Sequence, residues 1–381
     1  MITTLPRELQ LKIFGYCYIG DLKNISLTSK VFHNAVCPTL HQFIRIPTLH
    51  LLNKNITNKN LLNLRYAKNI RLCNIGCSYY SFANSRRRKE KISFMQVALK
   101  YKQILKYCDP CVMEISCYFP RSAFRVLVTY FHNMRELHVT GVGSNMDDDI
   151  LCNLSENLPR LKLLNISNSK IKDGGLLRLE CLVSLEVLDT SGCVLTDAGL
   201  VHIGRVEHLK RLNVRNCPKI TDEGIRALAA ICKMQDLRVS GCFQITDHSL
   251  YTISGFQLLE NLDISRCRDI SNCGVSFIGR LKMLRSLNMS WCRRVTDEGV
   301  MSLGVLKMLE NLDMTGTDTT DTTIMFLAQF PSLKVLHVTA TDVSNAALQY
   351  ISSMNKLSTF SWVYTKITEE GLLGNNLSHF I

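Results

Sequence analysis

Along most of the chain, apolar positions recur with two alternating periods. In "LNVRNCPKITDEGIRALAAIC", Leu212 and Val214 alternate with polar neighbours, the period-2 pattern of a short strand with one buried face. Past a corner, Ile225, Leu228, Ala229 and Cys232 fall at helical spacing, which predicts a helix turned toward the same core. Thr221 or Asp222 is placed to cap that helix, because a side-chain oxygen there accepts N–H groups that have no partner within the helix. Asp222 and Glu223 also lie at the positive end of the helix dipole. The unit then recurs. Its central apolar residue falls at Leu137, Leu164, Leu188, Leu212, Leu237, Leu262, Leu287, Leu312, Leu336 and Phe360, in steps of 24 or 25 residues from Leu164 onward. Looser copies centre on Met113, Ile70 and Ile44, with an insertion near residues 76–96. The pattern therefore predicts about 13 units, each a strand, a corner and a helix.

Self-similarity at this period marks a leucine-rich repeat. Five residues after the central leucine stand Cys193, Cys217, Cys242, Cys267 and Cys292, and the slot passes to Thr317, Thr341 and Thr365. The pattern resembles the cysteine-containing subclass of leucine-rich repeats. That resemblance implies an α/β fold: a horseshoe solenoid over residues 43–381, with parallel strands on the concave face and helices outside. The cysteines then form a column, one per turn, buried beneath the corners. A metal site needs ligands that converge on a point, and these do not. "CDPC" at Cys108–Cys111, with Cys73 and Cys77 upstream, has four-thiolate zinc spacing on paper, but Cys111 falls at the start of a predicted strand. No metal or cofactor is assigned, and no catalytic residue.

Ahead of the repeats, residues 1–42 read as three short helices. Pro6 suits a first helical turn, Gly20 ends the first helix, and Asp21 and Ser29 can cap the next two. The order Leu5-Pro6, Glu8-Leu9, Ile13-Phe14, Asp21-Leu22, Ser26-Leu27, Lys30 and Phe32 resembles an F-box. Cys17 and Phe32 stand where that family usually has leucine and tryptophan, and both remain apolar. The resemblance implies a small all-α F-box that docks a Skp-type adaptor through Leu5, Pro6, Leu9, Ile13, Phe14, Leu22, Leu27 and Phe32. F-box followed by leucine-rich repeats implies a non-catalytic substrate receptor of a cullin-RING ubiquitin ligase. Read from its residues alone, the segment also serves as a helical cap on the solenoid, and the repeats as a protein-binding scaffold with no link to ubiquitin.

Composition sharpens this picture in three places. Sixteen cysteines without a secretory signal, and no apolar run near the ~20 residues of a membrane span, lead us to expect reduced thiols and a cytoplasmic or nuclear protein with no membrane partner. The formal charge of +13 favours acidic or phosphorylated partners, or serves solubility. The basic run Arg86–Lys91 is either a solvated loop or an import or phosphate-contacting signal. Arginines are otherwise scattered, which argues against a nucleic-acid partner. For the protein substrate, stacking the repeats in register nominates Arg215, Arg238, Arg266 and Trp291 on the concave face, and Tyr364 in the C-terminal turns. Large residues stand out there among small ones, and Trp and Arg dominate binding hot spots. In the competing reading Arg238 pairs with Asp263 across the sheet and Trp291 covers a repeat edge.

Overall fold

The computed structural model describes residues 146–380 throughout, residues 132–140, Phe124 and Val128, and the backbone of three short strands nearer the N-terminus. The chain divides into two compact units, Met1–Met113 and Glu114–Ile381. In the first, β1 (Leu49–Leu51) runs parallel to β2 (Asn69–Leu72), with Leu49 opposite Ile70. Leu49, and not Ile44, thus fills the slot aligned with Ile70. β3 (Val112–Ile115) carries Met113, as its spacing predicts. Ile44, the boundary at 42/43, the eight expected adaptor-docking residues, Cys73, Cys77, Cys108, Cys111 and the insertion with its basic run lie outside the described residues.

The second unit contains ten parallel strands in chain order. They are β4 (Glu136–Val139), β5 (Leu163–Asn165), β6 (Val187–Asp189), β7 (Arg211–Asn213), β8 (Asp236–Arg238), β9 (Asn261–Asp263), β10 (Ser286–Asn288), β11 (Asn311–Asp313), β12 (Val335–His337) and β13 (Thr359–Ser361). Each central residue faces the next one: Leu188 stands opposite Leu212, then Leu237, Leu262, Leu287, Leu312, Leu336 and Phe360. Between strands the chain returns through α1 (Asp148–Asn157), α2 (Asp197–Ile203), α3 (Asp222–Ala227), α4 (Asp247–Ile253), α5 (Asn272–Ile278), α6 (Asp297–Met301), α7 (Asp321–Leu327) and α8 (Leu348–Ile351). After β13 comes α9 (Glu369–Gly374), while only 3-10 turns link β5 to β6. The core fills the space between sheet and helices.

One expectation about the core fails in detail. Ile225 and Leu228 are buried, but Ala229 and Cys232 are exposed, and Ile231 is buried in their place. α3 stops at Ala227 and continues as a 3-10 turn, Leu228–Ala230. Three residues per turn brings positions 225, 228 and 231 onto one line, which a 3.6-residue period misassigns. The cysteine column is buried as expected. Its thiols reach back to the preceding repeat: Cys242 donates to the Val214 carbonyl at 3.3 Å and Cys292 to that of Ile264 at 3.3 Å. Thr317 and Thr341 donate instead within their own turn, to Met314 and Val338.

The Thr-Asp pairs do more than cap. Thr221 caps its own helix by accepting the Glu223 N–H, while Asp197, which opens the previous helix, accepts both the N–H and the hydroxyl of Thr221 at 2.8 and 2.7 Å. The same double bond joins Asp173 to Thr196, Asp222 to Thr246, Asp247 to Ser271, Asp297 to Thr320 and Asp321 to Ser344. Asn272 and Asn345 hold the slot by accepting the N–H and donating their amide to the hydroxyl. This ladder also explains the glycine in "TDEG". A Cβ on Gly224 would stand 2.4 Å from Oδ1 of Asp197 and 3.2 Å from its Cα. Where the glycine is replaced, Ser249 and Thr323 turn their hydroxyls to Asp222 and Asp297.

Three outcomes follow for urea unfolding. Asp222→Ala strands the N–H of Thr246 and the hydroxyl of the buried Ser249 and is expected to cost about 3 kcal/mol, since each unpaired buried group costs about 1–3. Gly224→Ala is expected to destabilise, although alanine is the better helix former by about 1 kcal/mol, because the added methyl meets Asp197. Burial alone would raise the Asp222 and Asp297 carboxyls, but hydrogen bonds, from Ser249 and Thr246 and from Thr323 and Thr320 respectively, hold both below the usual range. Their contribution is therefore present above the unfolded value, about pH 4, and is lost as pH falls through the folded values. Asp222→Asn combined with Asp297→Asn is expected to reduce the stability lost between pH 7 and pH 3.

Candidate functional site

Three rows of side chains run along the ten strands, and their pairing decides what each can bind. The first row lies two residues before each central leucine. There Lys162, Glu186 and Lys210 alternate in sign, as do Glu260, Arg285, Glu310 and Lys334. Neighbours bond across the repeats, Lys210 to Glu186 at 2.8 Å, Arg285 to Glu310 at 2.8 Å and Lys334 to Glu310 at 2.6 Å. Hydrogen bonds from Lys210 and then Lys162 hold the Glu186 carboxyl below its ordinary value, and those from Lys334 and Arg285 do the same for Glu310. This row satisfies itself.

The second row follows the central leucine. Asn165, Asp189, Asn213, Asp263, Asn288 and Asp313 each accept the N–H of the residue two further on, at 2.9 to 3.1 Å, and so turn the chain out of the strand. Arg238, like His138, His337 and Ser361, departs from this row. Its guanidinium forms two bonds to Asp236 on the same strand, at 2.9 and 2.8 Å, which raise its already high pKa further. Arg215 reaches past β8 to Asp263, with Nε 2.9 Å from Oδ2 and a second, shorter bond from its terminal nitrogen. The expected cross-sheet partner of Asp263 is thus Arg215 and not Arg238. A carboxylate on the adjacent residue of Arg238's own face captures it first. Asp236 and Asp263 are both buried. Arg215 and Arg238 are consequently neutralised where they stand.

The third row forms the corners. Asn168, Gly192, Asn216, Gly241, Arg266, Trp291, Gly316, Ala340 and Tyr364 all take positive φ, between 55 and 73°. All of these turns but the last, at Tyr364, aim their N–H at the next repeat, as with Arg266 to the Ser290 carbonyl at 2.7 Å and Trp291 to that of Thr315 at 2.6 Å. Glycine and asparagine suit this conformation, whereas other residues in it cost on the order of 1 kcal/mol each. Arg266 and Trp291 carry that cost side by side. The Trp291 ring lies against Gly316, where a Cβ would stand 2.7 Å from Cε3. Tyr364 occupies the same row three repeats further on and is 85% exposed.

The structure therefore separates the five nominated residues. Arg215 and Arg238 lie in the ion-paired sheet face, Arg266 and Trp291 share adjacent corners, and Tyr364 is remote from both pairs. Sequence reasoning missed three neighbours of the corner pair. Phe243 is 45% exposed, with the Arg268 guanidinium 5.4 Å from its ring centre, and Arg293 stands 5.6 Å from that of Trp291. The signal was present in the residues that follow the column cysteines, "CFQ", "CRD" and "CRR".

The buried thiols offer no chemistry in this state. Burial pushes those of Cys217, Cys242 and Cys292 up to about 12 and raises Cys193 and Cys267 as well, which keeps them protonated and poorly nucleophilic. Among the described residues, no three His, Cys, Asp or Glu side chains gather to hold a metal ion.

A family model described as a leucine-rich repeat matches residues 207–229 and 280–304. No curated protein matches this chain. Among solved structures, the mouse RP105/MD-1 complex is similar at a TM-score of 0.53 and 15% identity, over 86% of this chain and 52% of that one. A TLR13–ssRNA13 complex is similar at 0.50 and 18%, over 69% and 41%. An internalin (inlF) from Listeria monocytogenes scores 0.46 at 17%, over 66% and 80%. Identities this low speak to fold alone. The family match, with ten in-register strands, helical returns and a buried cysteine column, makes the unit Glu114–Ile381 a leucine-rich-repeat solenoid.

Proposed function

We propose that the repeats hold a protein partner and that residues 1–42 tie that partner to a Skp–cullin–F-box ubiquitin ligase. The first half is carried by one observation: a rigid register of strands presents large polar and aromatic side chains, Arg266 and Trp291 foremost, at positions where the fold itself prefers glycine or asparagine. Partner recognition accounts for them, since aromatic and arginine side chains supply most of the energy at protein interfaces. The second half is supported by the ordered residues from Leu5-Pro6 to Phe32. On this reading the chain performs no catalysis. The ligase's RING subunit and a charged conjugating enzyme supply the transfer, and the receptor supplies a high local concentration of substrate. Such a protein works in the cytoplasm or the nucleus.

A second reading keeps the repeats as a scaffold without the ligase. What favours it is that both segments matched by the family model lie within the repeats. The two readings separate at the adaptor. Full-length chain is expected to capture a purified Skp-type adaptor, and Leu5→Ala combined with Pro6→Ala is expected to reduce capture about tenfold or more, a loss of at least ~1.4 kcal/mol. The urea midpoint of the repeats should not move. Equal capture by the double variant, or none by the parent chain, leaves the scaffold reading alone.

A further inference from the structure

Most charged rows on the solenoid are already satisfied by their own neighbours, and one is not. The corners at residues 241–245, 266–270 and 291–295 carry four arginines, Arg266, Arg268, Arg293 and Arg294, against a single carboxylate, Asp269. Asp269 pairs with Arg294 at 3.7 Å. The side chains of Arg266, Arg268 and Arg293 are exposed and, among the described residues, make no hydrogen bond or ion pair. Arg268 and Arg293 instead lie over Phe243 and Trp291, at 5.4 and 5.6 Å. A guanidinium held on a ring keeps its N–H edges available for an anion. The strands beneath are paired in register, Leu237 to Leu262 to Leu287, so these corners stack at the ~4.8 Å spacing of neighbouring strands.

We infer that the ridge of Phe243, Arg266, Arg268, Trp291 and Arg293 binds a phosphorylated segment of a partner protein. This deepens the reading of the repeats as a protein-binding surface and rests on it. Three unpaired guanidiniums on two adjacent corners match a group with three acceptor oxygens and nearly two charges, which one carboxylate does not supply. Nucleic acid fits less well, because base stacking needs open aromatic faces. The Trp291 ring has Gly316 against it and Arg293 above it, and Phe243 is covered by Arg268. The positive φ of Arg266 and Trp291 is consistent with side chains kept for the surface, since Asn216 and Gly241 take the same conformation without strain.

The test uses the full chain and a fluorescent degenerate peptide library fixed at a central phosphoserine, with the unphosphorylated library and a 12-nucleotide single-stranded RNA as comparisons. The phosphorylated library is expected to bind about tenfold tighter than the unphosphorylated one, with an affinity that falls as salt rises. Arg268→Glu combined with Arg293→Glu is expected to abolish that preference, while exposed Arg226→Glu on α3 leaves it intact. Arg266→Asn is expected to weaken binding while the unfolding midpoint stays level or rises, an outcome that a purely structural arginine would not give. Equal binding of the two libraries, retention of the preference by the double variant, or tighter binding of the RNA would each overturn the proposal. Adaptor capture is measured on the same preparation. A chain that ignores the adaptor but prefers the phosphorylated library supports this inference and removes only the ligase reading.

Discussion

The bond between an aspartate that opens one helix and the threonine that caps the next is the constraint on which the rest of the solenoid depends. In it a single carboxylate belongs to two repeats. Its oxygens take the N–H and hydroxyl of Thr221, Thr246 or Thr320, groups that sit at a corner outside the strands. Because the acceptor is fixed to the preceding helix, the spacing of the capping residues cannot drift, and steps of 23 or 24 residues separate each aspartate from its threonine or serine. The room that the carboxylate occupies crowds the third helical position, where Gly199, Gly224 and Gly274 stand, or Ser249 and Thr323 with hydroxyls that bond it. The cysteine thiols add a second link in the same direction, back to a carbonyl of the previous turn. Stability is then a sum of neighbour terms and not the property of one central core.

That economy leaves the surface as the place where repeats differ. The row ahead of the strands alternates Lys, Glu and Arg and neutralises itself, and the sheet face buries Asp236 and Asp263 beneath Arg238 and Arg215. Both arrangements cost the protein little and offer little to a partner, since a guanidinium that already holds a carboxylate must release it before taking another. The corners around Arg266 and Trp291 are different. They combine strained backbone, aromatic rings and unpaired positive charge, and none of the three is demanded by the repeat. Departure from an otherwise consistent local rule is where function is to be sought.

By itself, the sequence determined the repeat unit, its register and its core. Leucines 24 or 25 residues apart, cysteines at a constant offset and threonines before most helices leave one way to stack, because burying each apolar face requires the neighbour's identical face. Only the tertiary structure decided who pairs with whom. Arg215 and Asp263 are 48 residues apart, and Asp197 and Thr221 are 24 apart, and nothing local to either residue names its partner. The first strand's start at Leu49, the 3-10 ending that buries Ile231 and the stacking of Arg268 on Phe243 escaped for the same reason. Hydrophobic periodicity is a one-dimensional signal that survives in the chain, whereas ion pairing, backbone strain and exposure are set by distances that exist only once the repeats have stacked.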